Sequence, residues 1–133
     1  MKVKISASVT VVDERLSNVI VREPARLAAI DSAHSDECFS DYLIDDRSIA
    51  DFLHKGISGG YLSFHFHRNS NELRAETDYD IIEPLTESEI DALKNYTCGQ
   101  WSDGIGENFA SDYAEQTGLF LLPDTENAIV EIT

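Results

Sequence analysis

Apolar and polar side chains alternate along the first eleven residues of the chain. The odd positions are apolar, namely Val3, Ile5, Ala7, Val9 and Val11. The even positions from 4 to 10 hold lysine, serine or threonine. A period of two is typical of a strand with one buried face, so the pattern predicts a strand at residues 3–11. A β-branched run within residues 18–22 predicts a second strand that pairs with the first across a turn.

Two further alternating segments, at residues 61–67 and 73–81, predict a central hairpin. The polar faces of these strands match only when paired residue numbers sum to an odd value, because a shift of one residue turns every side chain to the other face. A two-residue loop at residues 69–70 or 70–71 meets this condition.

The clearest helix signal begins at Thr86. This threonine, with Glu89 three residues later, forms a capping box, and Gly99 is placed to end the helix. The predicted helix spans residues 87–98, with an inner stripe formed by Ile90, Leu93 and either Tyr96 or Thr97.

Weaker signals complete the expected fold. Short helices are predicted after Pro24, from Asp45 or Asp46 to Gly56, and around Phe109 and Tyr113. Residues 119–122 and 128–132 predict a final hairpin. The length and the order of elements favour a single α+β domain over residues 1–133, with a mainly antiparallel sheet and two to four short helices.

The charge of the chain is strongly acidic and unevenly placed. It holds 25 Asp and Glu against 10 Lys and Arg, a net charge of −15. Residues 1–75 contain 11 acidic and 9 basic residues, whereas residues 76–133 contain 14 acidic residues against Lys94 alone, a net charge of −13. Non-specific binding to nucleic acid or to an anionic membrane is disfavoured, because phosphate binding needs clustered Lys and Arg.

The two cysteines, Cys38 and Cys98, lie 60 positions apart and fit neither a disulfide framework nor a zinc knuckle. We expect two reduced, half-buried thiols. The N-terminus lacks the continuous apolar core of a signal peptide, and no stretch approaches the roughly 20 apolar residues of a membrane span. These features predict a protein of the cytoplasm.

The densest local feature is the glycine-rich run GQWSDGIGENF at residues 99–109. A tryptophan beside small polar residues is typical of an interface anchor, so Trp101 predicts a contact surface. The run has neither the basic residues of a phosphate loop nor the ligand spacing of an EF-hand. A structural alternative is a helix end with Trp101 packed on the sheet. The predicted partner-binding residues are Glu76, Asp78, Asp80, Glu83, Glu87, Glu89, Asp91, Trp101, Asp103 and Glu107.

The same run carries a resemblance. Its residues are Gly99, Gln100, Trp101, Ser102, Asp103, Gly104, Ile105, Gly106 and Glu107. Together with the acidic helix that begins after Thr86, the run resembles a motif of small uncharacterised proteins from bacteria, plasmids and phages. The resemblance covers about a fifth of the chain. It implies a mobile-element setting, in the cytoplasm of a bacterial host cell, and no particular chemistry.

His65 and His67 predict a second kind of site. Two imidazoles at i and i+2 on a strand can chelate zinc, and the hairpin places Arg74 or Glu76 opposite His65. Glu76 would be the third ligand. The alternative is an ordinary exposed or helix-covered sheet face.

Charge and motif together predict a non-enzymatic inhibitor or decoy that binds a basic, nucleic-acid-handling protein. A nuclease, a restriction enzyme or a CRISPR component would be such a partner, and the carboxylates would imitate DNA phosphates. An immunity protein that neutralises a nuclease toxin is an alternative. A metal-binding enzyme or ligand sensor using His65 and His67, and a homodimer formed through Trp101, are the other hypotheses. The leading hypothesis requires no cofactor and no direct contact with nucleic acid or a membrane.

Overall fold

The fold is an antiparallel sheet with a helix on one face, seen in a computed structural model. The structure describes residues 1–17, 19–22, 42–43, 52–67, 72–103 and 119–133, with residues 14, 42–43, 58–67, 103 and 119 described by their backbone alone. The strands and the α-helix are β1 (Lys2–Asp13), β2 (Val19–Val21), β3 (Tyr42–Leu43), β4 (Ile57–His67), β5 (Glu72–Ile81), α1 (Glu87–Asp103), β6 (Leu119–Pro123) and β7 (Ile129–Ile132). Short 3-10 helices follow β1 (Glu14–Leu16) and separate β6 from β7 (Thr125–Asn127).

Strand β1 is the centre of the sheet and pairs with four other strands. Val9 is paired with both Leu73 of β5 and Pro123 of β6, so β5 and β6 lie along opposite edges of β1. Val11 is paired with both β2 and β6, so β2 lies along the same edge of β1 as β5. Val3 is paired with both β5 and β7, so β7 lies along the same edge as β6. Beyond β5 the sheet continues through β4 to β3. The predicted pairing of the first two strands is confirmed.

The predicted final hairpin is wrong, because β6 and β7 both pair with β1. The chain does not reverse between them. Instead the intervening 3-10 helix shifts the register, and Asp124 stays on β1 through a 2.7 Å bond from its backbone N–H to the carbonyl of Ser8. The side chain of Asn127 donates to Asp124 across this turn, at 2.9 Å. The polar residues between β6 and β7, which suggest a hairpin turn in the sequence, instead interrupt the strand pairing along one edge of β1.

The central hairpin has the predicted register. β4 pairs antiparallel with β5, and His65 lies opposite Arg74. Paired residue numbers sum to 139, as for Gly60 and Tyr79, which is the odd value that a loop centred on residues 69–70 requires. The pairing is irregular between Ile57 and Gly60.

One face of the sheet and the inner side of α1 form the core. The alternation of β1 is confirmed, since its odd positions are buried. Helix α1 presents a stripe with a spacing of four residues, made of Leu93, Thr97 and Trp101. The largest buried side chains across this contact are Trp101, Tyr79, Ile5, Leu73, Leu93 and Leu121.

Helix α1 begins as predicted and ends later than predicted. The capping box is present: the Thr86 N–H donates to the Glu89 carboxylate at 3.0 Å, and the Glu89 N–H donates to the Thr86 hydroxyl at 3.3 Å. The expected end at Gly99 is wrong, because the helix continues to Asp103. Burial of Trp101 outweighs the cost of one glycine inside the helix, which is about 1 kcal/mol.

The helix count in the described residues is lower than predicted, with one α-helix. Phe52 and Leu53 are helical and residues 54–56 are not, so this predicted helix ends at Leu53, before Gly56; its earlier residues, like the predicted helices after Pro24 and around Phe109, lie outside the described residues. Cys98 is a half-buried thiol as expected, and burial raises its pKa. Cys38 also lies outside the described residues. No helix within the described ranges is long and apolar enough to cross a bilayer.

Replacing Gly99 with alanine should stabilise the protein. A methyl group built at Gly99 meets no atom within 4 Å, so Gly99→Ala reduces the freedom of the unfolded chain without a clash, and we expect a gain of about 0.5–1 kcal/mol. Urea denaturation followed by circular dichroism measures the change.

Gly56 supplies the matched control. Its φ is +63°, and a methyl group there lies 2.9 Å from the Cδ1 of Ile82, so Gly56→Ala should cost about 1 kcal/mol or more. A loss of stability in Gly99→Ala as large as that in Gly56→Ala would show that α1 ends at Gly99 after all.

Candidate functional site: the acidic strand end and helix start

The predicted acidic residues follow the end of β5 and the start of α1. Asp78 and Asp80 are exposed on the face of the sheet opposite α1. Glu83 lies in the connection, and Glu87 and Asp91 are exposed on the first turns of α1. We call these five residues the acidic strip. Because α1 covers the other face of the sheet, the strip bends around the sheet end, and its members do not share one flat surface.

Glu76 does not belong to this exposed set. Only 7% of it is accessible, and its carboxylate lies 3.3 Å from the Nζ of Lys4. The register places Lys4 opposite Asp78 and Lys2 opposite Asp80. The carboxylate of Glu76 therefore forms an ion pair with Lys4 within the sheet. Because Glu76 is buried, the prediction that it faces a partner is wrong.

The first half of β5 has a nearly balanced polar face. Arg74 donates to the hydroxyls of Ser6 at 3.0 Å and Ser8 at 3.3 Å, and it lies 3.4 Å from a carboxylate oxygen of Glu72. Ser8 also donates to Glu72. The surplus of negative charge thus begins only in the second half of β5, after this network.

Glu89 has a structural role that the charge count does not reveal. Its bond from the Thr86 backbone N–H is the main cause that lowers its pKa, and Lys55 contributes. The Nζ of Lys55 lies 3.7 Å from carboxylate oxygens of both Glu89 and Glu83. Glu89 therefore caps α1, and Lys55 offsets part of the charge at the helix start.

Trp101 is buried in the core and is not a surface anchor. None of its side chain is accessible, and its Nε1–H donates to the hydroxyl of Thr77 at 2.9 Å. The physical reason is the continuation of α1 past Gly99, which places Trp101 two turns beyond Leu93 on the helix side that faces the sheet. The packing of Trp101 on the sheet, which the structural alternative predicts, is confirmed, and the ring is not exposed for the contact that the homodimer hypothesis requires.

The remaining residues of the glycine-rich run are placed only in part. Asp103 is the last residue of α1, so residues 99–103 are helical. Glu107 lies outside the described residues, and its partner-binding role stays a prediction.

The histidine pair lies on β4, where the backbone register defines its neighbours. His65 is opposite Arg74, His67 is opposite Glu72, and Glu76 is opposite Ser63. Arg74 next to His65 disfavours a metal cation, and Glu76 is already bound to Lys4. Among the side chains that the structure describes, which do not include those of His65 and His67, no group of three metal-ligating residues is close enough to hold an ion, so a metal site at this pair stays a prediction.

The sequence patterns did not predict an apolar groove that lies on the outer face of the sheet. Its apolar lining comes from Val12, Ile20, Phe120 and Leu122, and its volume is about 590 Å³. The sequence does contain a signal for it, at residues 11–12, 19–21 and 119–122. In these runs apolar residues follow one another without alternation, which places apolar side chains on both faces of the sheet.

Comparison with protein-family models, with curated proteins and with solved structures gives no match. The resemblance of residues 99–107 to small proteins of bacteria, plasmids and phages therefore stays a prediction.

Truncation of Trp101 should destabilise the fold. Removal of its buried ring leaves a cavity and an unpaired Thr77 hydroxyl, so Trp101→Ala should lower the free energy of unfolding by about 3–5 kcal/mol. Circular dichroism is the readout, since Trp101 is the only tryptophan. Phe52→Ala, at an exposed apolar position, is the control and should change stability by no more than about 0.5 kcal/mol.

A double-mutant cycle of Trp101→Phe and Thr77→Val isolates the hydrogen bond and should give a coupling of about 0.5–1.5 kcal/mol. Equal losses in Trp101→Ala and Phe52→Ala would contradict the burial of the ring.

The cap at Glu89 predicts a pH dependence. Its pKa in the folded state lies below the ordinary value of 4.5, so the carboxylate stabilises the fold above that pH and loses this effect as the pH falls through the folded value. Glu89→Gln keeps an oxygen that accepts from Thr86 and removes the titration. We expect the variant to be less stable at neutral pH, with a difference that closes below about pH 4.5 in thermal melts. A difference that does not vary with pH would contradict this account.

Proposed function

We propose that the protein is a non-enzymatic acidic inhibitor or decoy that binds a basic protein partner through the acidic strip. The observation that carries the proposal is the exposure of Asp78, Glu87 and Asp91. None of these three forms an ion pair within the described residues. Their charges are available for a partner, in contrast to that of Glu76.

The placement of Glu87 and Asp91 supports this proposal. They stand at i and i+4 on α1, where like charges oppose each other and cost about 0.2–0.5 kcal/mol. The helix N-terminus offsets part of that cost, because its dipole favours negative charge. Beyond this, the pair makes no described contact that holds the fold together, so a role in binding accounts for it better than a role in stability.

The chemistry of the strip selects the class of partner. Carboxylates on a rigid strand and helix attract Lys and Arg clusters, and complementary charge speeds association and selects the partner. Proteins that handle nucleic acid carry such clusters where the phosphates bind. We therefore propose a nuclease, a restriction enzyme or a CRISPR component as the partner, within the bacterial mobile-element setting that the resemblance implies. An immunity protein for a nuclease toxin uses the same chemistry.

Salt and DNA competition test the mechanism. Affinity capture from a bacterial lysate at low salt, followed by identification of the bound proteins, should yield a basic protein. The measured affinity for it should fall by about tenfold or more between low and moderate salt, because exposed charges are screened. A DNA duplex should displace the protein from a nucleic-acid-binding partner. Binding that is indifferent to both salt and DNA would reject the electrostatic mechanism.

Neutralisation of the strip tests the residues. We expect Glu87→Gln with Asp91→Asn to weaken the affinity for the captured partner by about tenfold. Glu126→Gln with Glu131→Gln removes the same charge from exposed positions outside the strip and should weaken it by less than about threefold. Calorimetric titration measures both, after thermal melts have shown that each variant is folded. Equal effects of the two pairs would assign binding to overall charge and not to the strip.

A further inference from the structure

The groove on the outer sheet face is an exposed apolar surface at the end of β1. Val12 lies opposite Ile20 of β2 on one edge and opposite Phe120 of β6 on the other, so three strands present apolar side chains side by side. Leu122 continues the row opposite Thr10. Ile20 is 45% exposed and Leu122 is 54% exposed. Apolar side chains gathered on one exposed patch are typical of a binding surface, because isolated exposed apolar residues do not form a concave site.

The polar residues at the groove give its chemical preference. Among its described lining residues only Asp124 carries a charge. Asp124 is exposed, and one of its carboxylate oxygens accepts from Asn127. An apolar groove with a carboxylate at its end matches an apolar side chain followed by a cationic one.

A second copy of the chain is a poor occupant. Each chain has a net charge of −15, so two copies repel each other. A stable dimer needs about 20–30 residues on each side, far more than line this groove. The groove volume of about 590 Å³ lies in the range of pockets that take a small ligand or a few side chains.

We propose that the groove takes an aromatic or long aliphatic side chain from a cationic segment of a protein partner. This inference rests on the proposed function and adds to it the second contact: the strip attracts the basic partner, and the groove holds an apolar residue of that partner. The groove contact depends little on salt, because apolar burial is not screened as charge is.

Defined peptides test the groove without knowledge of the partner. Two labelled peptides of equal length and charge are compared by fluorescence anisotropy at moderate salt, one alternating lysine with phenylalanine and one alternating lysine with serine. We expect the phenylalanine peptide to bind about tenfold more tightly, a difference of ~1.4 kcal/mol. Leu122→Ser and Ile20→Thr should remove that preference. Ile82→Ser, at a residue that is 78% exposed and lies outside the groove, should keep it.

Each other outcome has a defined meaning. Binding of neither peptide overturns the basic-partner proposal together with this one. Equal binding of the two peptides overturns the groove alone and leaves the strip intact. A wild-type dimer in sedimentation that Leu122→Ser converts to a monomer identifies a second copy as the occupant and overturns the proposal. A fall of more than about 5 °C in the Tm of Leu122→Ser also overturns it, because Leu122 would then be packed by its own chain.

Discussion

The seating of α1 on β5 is the contact on which the rest of the structure depends. Two buried hydrogen bonds fix it: Trp101 donates to Thr77, and the hydroxyls of Tyr79 and Thr97 lie 2.6 Å apart. A buried polar group without a partner costs about 1–3 kcal/mol, so neither rotation nor sliding of the helix is tolerated. With Leu93, Thr97 and Trp101 turned inward, the 100° step of a helix turns Asp91 to the solvent. The core bonds thereby decide which acids are exposed.

The long central strand β1 then separates two surfaces on the outer face of the sheet. Near its start, Lys4 lies between Asp78 of β5 and Glu131 of β7. Near its end, Val12 lies between the apolar residues Ile20 and Phe120. Eight residues separate Lys4 from Val12, which is about 26 Å at 3.3 Å per residue. A partner that contacts both the charged and the apolar end must therefore span most of the sheet, a distance typical of a folded domain and too long for a single side chain.

Local patterns predicted the elements well and their partners less well. The alternation at residues 3–11 and the capping box at Thr86 act over a few residues, so sequence alone identified both. The helix end predicted at Gly99 was wrong because the local preference of glycine to end a helix is worth about 1 kcal/mol, whereas burial of the Trp101 ring is worth several. The four-residue spacing of Leu93, Thr97 and Trp101 indicates a helix that continues past Gly99. The prediction of a final hairpin was wrong because alternation identifies the buried face of a strand and does not identify its neighbouring strand in the sheet.

The candidate site shows the same division between local and distant information. Glu76 and Asp78 are two residues apart on one strand and equal in a charge count, yet Lys4 is 3.3 Å from the first, while the second is exposed. Glu89 and Glu87 differ in the same way, since the first caps the helix and the second does not. Burial and pairing therefore separate the carboxylates that are bound within the fold, such as Glu76 and Glu89, from those that are exposed without an ion pair among the described residues. The proposed binding to a basic partner rests on Asp78, Glu87 and Asp91, which belong to the second group.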